Sequence, residues 1–360
     1  MVAAMKSLTA SLDRLSGPLL AALGLANALF VLSFFVILFI AAQTLPAASA
    51  ETCRGENLLV EMQETDPAAY KQLMGEAAET INGDTLLFRV EKQGAEPSYL
   101  FGTMHLTDER VVDLPQKAQD AFDKARAVAI ESVEILDPAK AQMALFSKPE
   151  LTMFTDGKGL SDYLDDEQRE ILKAGLAERG VQLALVERMK PWLITAMVAL
   201  PKCEMDRKKE GQPFLDMKLA QDAEKQGKEL VGLETIVEQF EAMASLPMEF
   251  HVRGLVDSIA LGDKIDDVIE TMIELYVDGR TGAVWPMLRS VAPDQGEDAG
   301  YADFEAAMVH VRNATMLERA RPLFEDGGAF VAVGALHLPG EKGLAALLEN
   351  AGYTVTPVYN

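Results

Sequence analysis

Two stretches decide the fold of this chain, Phe101-Gly-Thr-Met-His-Leu-Thr-Asp-Glu109 and Val333-Gly-Ala-Leu-His-Leu-Pro-Gly-Glu341. Each follows a short apolar run with the length and composition of a strand, residues 98–101 in one case and 330–333 in the other. In each, a glycine and a histidine stand three residues apart just past that strand: Gly102 with His105, and Gly334 with His337. Nine aligned positions do not establish a duplication. They do predict two strand ends with similar tasks.

Working outward, residues 85–90 read as a strand before the first motif, and Pro115 to Ala125 reads as a helix after it. The run from Ala127 to Val133 is apolar except for Glu131 and Ser132, as in a parallel strand buried on both faces. From about 138 to 226 the chain is helical, with Pro191 at a first helical position. Lys228 to Leu233 is a further strand, closed by Glu234. Helices return from Ile236 to about Leu288 and from Asp303 to Phe324. A helix and a strand, Tyr353 to Val358, follow the second motif. Strands alternating with helices at both ends predict an α/β fold. Its central sheet is mixed and mostly parallel, with flanking helices and a helical insertion over residues 138–226. Gly282 to Gly300, with two prolines between, is the loosest stretch and is expected to be a mobile loop.

In an open α/β sheet, ligands sit beyond the carboxyl ends of the strands. His105 and His337 both fall there, and Gly102 and Gly334 let the backbone turn sharply or approach a neighbour closely. Glu131 is a carboxylate in an apolar run, expensive to bury unless a cation or donors pair with it. His105, Glu131 and His337 together form a His₂-carboxylate set, which in a catalytic metal site leaves one position open for water. The plainer alternative for Glu131 is a structural ion pair with Arg312. Glu234 and Gln239 are candidates to orient a ligand, or else ordinary acids and amides at a helix start. Arg312 and Asn313 lie on the helix before the last motif. Arg312 is a candidate oxyanion stabiliser, with an exposed surface arginine as the alternative. Glu134 is the weaker acid, and His251 and His310 read as structural. The sequence has no Walker loop, Gly-x-Gly-x-x-Gly, His-Glu-x-x-His or Gly-x-Ser-x-Gly.

The first fifty residues differ from the rest. Leu19 to Ala42 is almost wholly apolar, preceded by Lys6 and Arg14. Residues 1–50 read either as a secretory signal cleaved after Ala48-Ser49-Ala50 or as an uncleaved membrane anchor. In both, Lys6 and Arg14 stay inside and the acidic flank goes out, so the protein is exported, periplasmic or anchored. The formal net charge of −23 makes nucleic acid a poor partner. The two cysteines, Cys53 and Cys203, both follow the export segment. They are compatible with a disulfide or with two free buried thiols.

In order along the chain, Tyr99 to Asp108, Ala129-Ile-Glu131, Gly232-Leu-Glu-Thr235, Arg312-Asn313 and Phe330 to His337 resemble the TraB/GumN family, which takes in the Tiki proteases. The resemblance runs from about Cys53 to Val358. It implies a mixed α/β fold distantly similar to erythromycin-esterase-like and ChaN-like proteins. For the Tiki branch it implies metal-dependent peptide cleavage with manganese or cobalt. Carried over, the motif histidines are His105 and His337, and the glutamate is Glu131. The expectation is therefore an extracytoplasmic metal-dependent hydrolase, peptidase-like, using a divalent metal (Mn, Co or Zn) on a peptide or protein substrate. The alternative is a non-catalytic envelope module that binds peptide, glycan or haem, associated with polysaccharide or signalling functions.

Overall fold

In the computed structural model, residues 53, 55–291 and 300–359 are described. The candidate signal or anchor, residues 1–50, lies outside them. Among the described residues no helix is long and apolar enough to cross a membrane.

Six strands form one sheet: β1 (Leu87–Glu91), β2 (Ser98–Thr103), β3 (Ala127–Ile130), β4 (Glu229–Gly232), β5 (Ala329–Gly334) and β6 (Thr354–Pro357). Their order is β4-β3-β5-β2-β1-β6. The first four are mutually parallel, and β1 pairs antiparallel with both β2 and β6. This is the mixed, mostly parallel α/β sheet that the strand pattern predicts.

Period-two alternation explains why the central strands are apolar throughout. Val128, Ile130, Phe330 and Ala332 face one layer, where Phe122 and Leu219 cover them from the Gln116–Lys124 and Leu215–Lys225 helices. Ala127, Ala129, Val331 and Val333 face the other, under Met316 and Leu348 of the Val311–Asp326 and Leu344–Asn350 helices. The helices between 149 and 198 pack a separate core in which Leu172 and Ile194 meet Leu255 and Ile259 of the Met248–Ala260 helix. That helix comes after β4 in sequence.

Two expectations need correcting. The apolar run from Ala127 stops being a strand at Ile130. Ser132 accepts a hydrogen bond from the Glu134 N–H and starts a 3₁₀ turn, Val133–Leu136. Glu131 therefore stands just beyond the strand, and Glu134 lies in the turn that follows it. Glu134 instead accepts the free N–H of Ile236 at the start of a helix, at 2.7 Å. The described part of the presumed loop from Gly282 is also ordered: Thr281–Ala283 is a 3₁₀ turn and Val284–Val291 a helix. Pro286 falls in that helix's first turn, where its missing N–H is not needed. Residues 292–299 lie outside the described residues.

Candidate active site at the strand ends

The parallel strands end on one edge of the sheet, so the residues following them converge. Strand β2 delivers His105, β3 Glu131, β4 Glu234 and β5 His337. In the β2–β5 register Gly102 lies opposite Val333, and Thr103 opposite Gly334. The two motifs are thus neighbours. Both glycines serve close approach. A Cβ on Gly102 would stand 2.8 Å from Leu338 and 3.0 Å from Ala335 of the second motif, and one on Gly334 would stand 3.1 Å from Glu131 Oε1.

Glu131 is 5% exposed, and both its oxygens are occupied. Oε1 accepts the Gly334 N–H at 2.7 Å. Oε2 accepts Arg312 at 2.6 Å and the Gln239 amide at 3.1 Å. Burial alone would push its pKa up. The charges of His337, Arg312 and His105, with the Gly334 amide, outweigh that and hold it at about 2. Arg312 is largely enclosed, its side chain 11% exposed, contrary to a surface reading. It donates to Glu234 through Nε and Nη2, to Glu131 through Nη2, and to the Met308 carbonyl through Nη1 at 2.9 Å. That carbonyl lies in a π-type turn, Ala306–His310, which ends two residues before the arginine, and such turns recur at functional sites.

His337 has a fixed tautomer. Asn313 donates through Nδ2 to the carbonyls of His337 and Lys342, so its Oδ1 faces His337 Nδ1 at 2.6 Å and accepts the ring proton. Nε2 therefore presents a lone pair, 3.6 Å from Glu131 Oε1. Burial lowers this imidazole's pKa to about 4, so it is neutral at physiological pH. His105 is set differently. Its Nε2 lies 3.3 Å from Asp216 Oδ2, and its ring meets Phe214 edge-on. The charge of Asp216 raises the pKa to about 9 against the opposing effect of burial. The ring's 54% exposure softens that attraction. Asp216 is itself buried. Its Oδ1 accepts from Thr103 at 2.9 Å, while Oδ2 has no hydrogen bond. His105, Glu131, Arg312 and His337 all line one cavity of about 260 Å³.

The TraB/PrgY/gumN family model matches residues 86–357. This chain belongs to the TraB/PrgY/gumN family. Metalloprotease TIKI1 of Danio rerio is 27% identical over 305 residues, covering 72% of this chain and 60% of that protein. Human Metalloprotease TIKI1 is 26% identical over 306 residues, covering 72% and 59%. The Shigella flexneri protein YbaP, described as uncharacterized, is 24% identical over 261 residues, covering 71% and 89%. The chain thus spans about three fifths of the length of the metalloprotease relatives. No solved structure matches it.

In this TraB/PrgY/gumN chain His105, Glu131 and His337 line the same cavity. Among the described residues, no group of three or more His, Cys, Asp or Glu is arranged to hold a metal ion. The side chains stand as two pairs: His105 with Asp216 at 3.3 Å, and His337 with Glu131 at 3.6 Å. The donor chemistry nonetheless fits a divalent cation. His337 Nε2 and Glu131 Oε1 are two acceptors facing each other with no proton between them, and Asp216 Oδ2 is a buried carboxylate oxygen that faces His105 Nε2 at 3.3 Å. Asp216 is the residue the sequence reading missed. An acid in the first turn of an amphipathic helix is common, and only its burial marks this one. Glu234 and Asn313 touch the site through Arg312 and His337. His251 bonds the Met243 carbonyl, and His310 faces Glu305 at 3.7 Å.

The two histidines shape the pH dependence of stability in opposite directions. The folded pKa of His337 is depressed below an unfolded value of about 6.5, so its contribution is present above that pH and lost as pH falls toward 4. That loss is worth about 3 kcal/mol at 1.36 kcal/mol per unit. The folded pKa of His105 is raised, so its contribution is present below about pH 6.5 and fades as pH rises toward 9. Metal-free protein should therefore be most stable near pH 6.5, by urea midpoint. His105→Ala should flatten only the alkaline limb. A wild-type midpoint constant between pH 6.5 and 9 would contradict this account of His105.

Proposed function

We propose that this chain is an exported metal-dependent hydrolase that cleaves peptide bonds at the shared rim of β2, β3 and β5. The observation that carries the reading is the facing pair of acceptors, His337 Nε2 and Glu131 Oε1, with the imidazole proton fixed on Nδ1 by Asn313. The family's metalloprotease-named relatives support it. The Cys53–Cys203 disulfide, with Cα atoms 5.5 Å apart, supports an oxidising compartment.

His337, Glu131 and His105 would hold the divalent ion, with Asp216 as a further donor. A bound ion of this kind lowers the pKa of water to about 7 and supplies a hydroxide-like nucleophile. The chain's own residues prepare for it. Arg312 and Gln239 keep Glu131 ionised and oriented. Asn313 keeps the His337 lone pair facing the site. Glu234, Glu131 and the Met308 carbonyl between them engage all three guanidinium nitrogens, so Arg312 acts here through Glu131. Met272, Tyr276 and Trp285 wall the cavity.

The test is metal content by elemental analysis, paired with turnover on a quenched fluorogenic peptide library. Wild type should hold near-stoichiometric divalent metal, and chelation should abolish its activity. Glu131→Gln and His337→Ala should lose the ion and about a hundredfold or more in rate. Full metal content with unchanged turnover in both variants would refute the proposal.

A further inference from the structure

A second cavity, of about 510 Å³, adjoins the first, and Met272, Trp285 and Phe304 line both. Its other walls come from the Pro191–Val198, Met248–Ala260 and Lys264–Val277 helices. Trp192, Phe250 and Leu261 give it an aromatic and aliphatic surface. The volume lies within the roughly 300–1,000 Å³ of small-molecule sites, which are mostly apolar. Polar groups on the wall are turned to internal partners. His251 Nε2 bonds the Met243 carbonyl, and the Ser258 hydroxyl donates to the Gly254 carbonyl. Arg253 and Asp257, one helical turn apart, bring both signs of charge.

Gly254 is the telling residue. It sits in the interior of the Met248–Ala260 helix and lines this cavity, and a Cβ built on it meets nothing within 4 Å. Glycine inside a helix is destabilising relative to alanine. No close backbone neighbour explains it here, and what its missing side chain leaves is open volume.

We propose that this cavity is a specificity pocket, taking large apolar side chains of a peptide whose scissile bond lies at Glu131 and His337. The inference rests on the peptidase reading and deepens it. The shared wall of Met272, Trp285 and Phe304 places this cavity beside the one that holds Glu131 and His337, and this argues for the same occupant. Along an extended peptide, side chains on one face recur every two residues, about 6.6 Å apart, so residues flanking the reacting bond enter the adjoining space.

The chain's two tryptophans, Trp192 and Trp285, both line the pocket and report on it. The experiment titrates wild type and Glu131→Gln with two blocked peptides of equal length, one rich in Leu and Phe and one in Ser and Gln. Intrinsic fluorescence is followed throughout. The apolar peptide should shift emission to the blue and saturate in both proteins, and the polar one should not. Gly254→Leu fills the pocket while favouring the helix, so it should melt no lower than wild type and bind the apolar peptide about tenfold more weakly. Ala196→Leu, from an exposed position on another wall, should do the same without adding a fluorophore. Equal binding of both peptides, or unaltered affinity in both variants, would overturn the proposal. So would dodecanoate displacing the apolar peptide at lower concentration, which would mark a lipid site. The readout needs no catalysis. Apolar binding without any cleavage would sink the peptidase reading and leave the pocket standing, whereas cleavage without apolar preference would sink the pocket alone.

Discussion

Replacing Arg312 with alanine is expected to lower stability by about 3–5 kcal/mol, because removing one partner of a buried ion pair leaves uncompensated charge. Here it leaves two carboxylates. Arg312 Nη2 bridges Glu131 Oε2 at 2.6 Å and Glu234 Oε2 at 2.7 Å, and the acid side chains are 6% and 3% exposed. No other cation makes an ion pair with Glu234 among the described residues. At roughly 2–4 °C per kcal/mol for a larger domain, the melting temperature should fall by about 10 °C. Arg312→Lys should recover little, because an ammonium cannot reproduce the fork that reaches Glu131, Glu234 and the Met308 carbonyl together. Without the guanidinium, Glu131 loses one of the charges that hold its pKa at about 2. The deficit should therefore narrow in mild acid, where a carboxylate can take up a proton. The double variant Arg312→Ala/Glu131→Gln should be less destabilised than the sum of the single changes. Thermal unfolding at pH 5 and pH 8 measures all of this. A shift under about 2 °C for Arg312→Ala would show that the network carries no such energy.

How much of this site was legible follows from what a linear sequence encodes. Glu131 was visible because a carboxylate within an apolar run violates the cost of burying charge. His105 and His337 were visible because the same spacing recurs after two apolar strands, and the β2–β5 pairing makes them neighbours. Arg312 invited a surface reading, since an arginine on an amphipathic helix usually faces water. The π-type turn before it and the depth of Glu234 are three-dimensional facts. Asp216 was hidden for the same reason: Thr103, which it accepts from, lies 113 positions away. Hydrophobic period located the strands, but it overran β3 by reading through Ser132, whose cap ends the strand. The adjoining cavity had no sequence signature, because it forms where the Pro191–Val198, Met248–Ala260 and Lys264–Val277 helices meet.

Removing the Cys53–Cys203 disulfide is expected to have a comparable effect, and its reach explains why. The cross-link closes a loop of 150 positions. For a loop that long, restriction of the unfolded chain is worth about 5 kcal/mol at most, with 2–5 typical of native bridges. Cys53 precedes the Leu58–Thr65 and Pro67–Glu79 helices, which pack Leu59 and Leu73 against Leu275, Val284 and Met287. Cys203 lies on the Lys202–Lys209 helix, which braces the first motif. Glu204 accepts the Thr107 N–H at 2.9 Å and its hydroxyl at 2.8 Å, and Lys208 donates to the His105 carbonyl at 2.9 Å. The bridge therefore joins the N-terminal helices to the helix that supports His105. Reduction, or the double variant Cys53→Ala/Cys203→Ala, should lower the melting temperature by about 10 °C. Hydrogen exchange at residues 58–79 and 105–107 should rise before exchange across β3 and β5 does. Local loosening of this kind would weaken the His105–Asp216 pair while leaving the His337–Glu131 pair intact, so the two halves of the site should separate in their sensitivity to reductant. A melting temperature that moves by less than about 2 °C, with reduction verified by mass, would show that helix packing alone holds these elements.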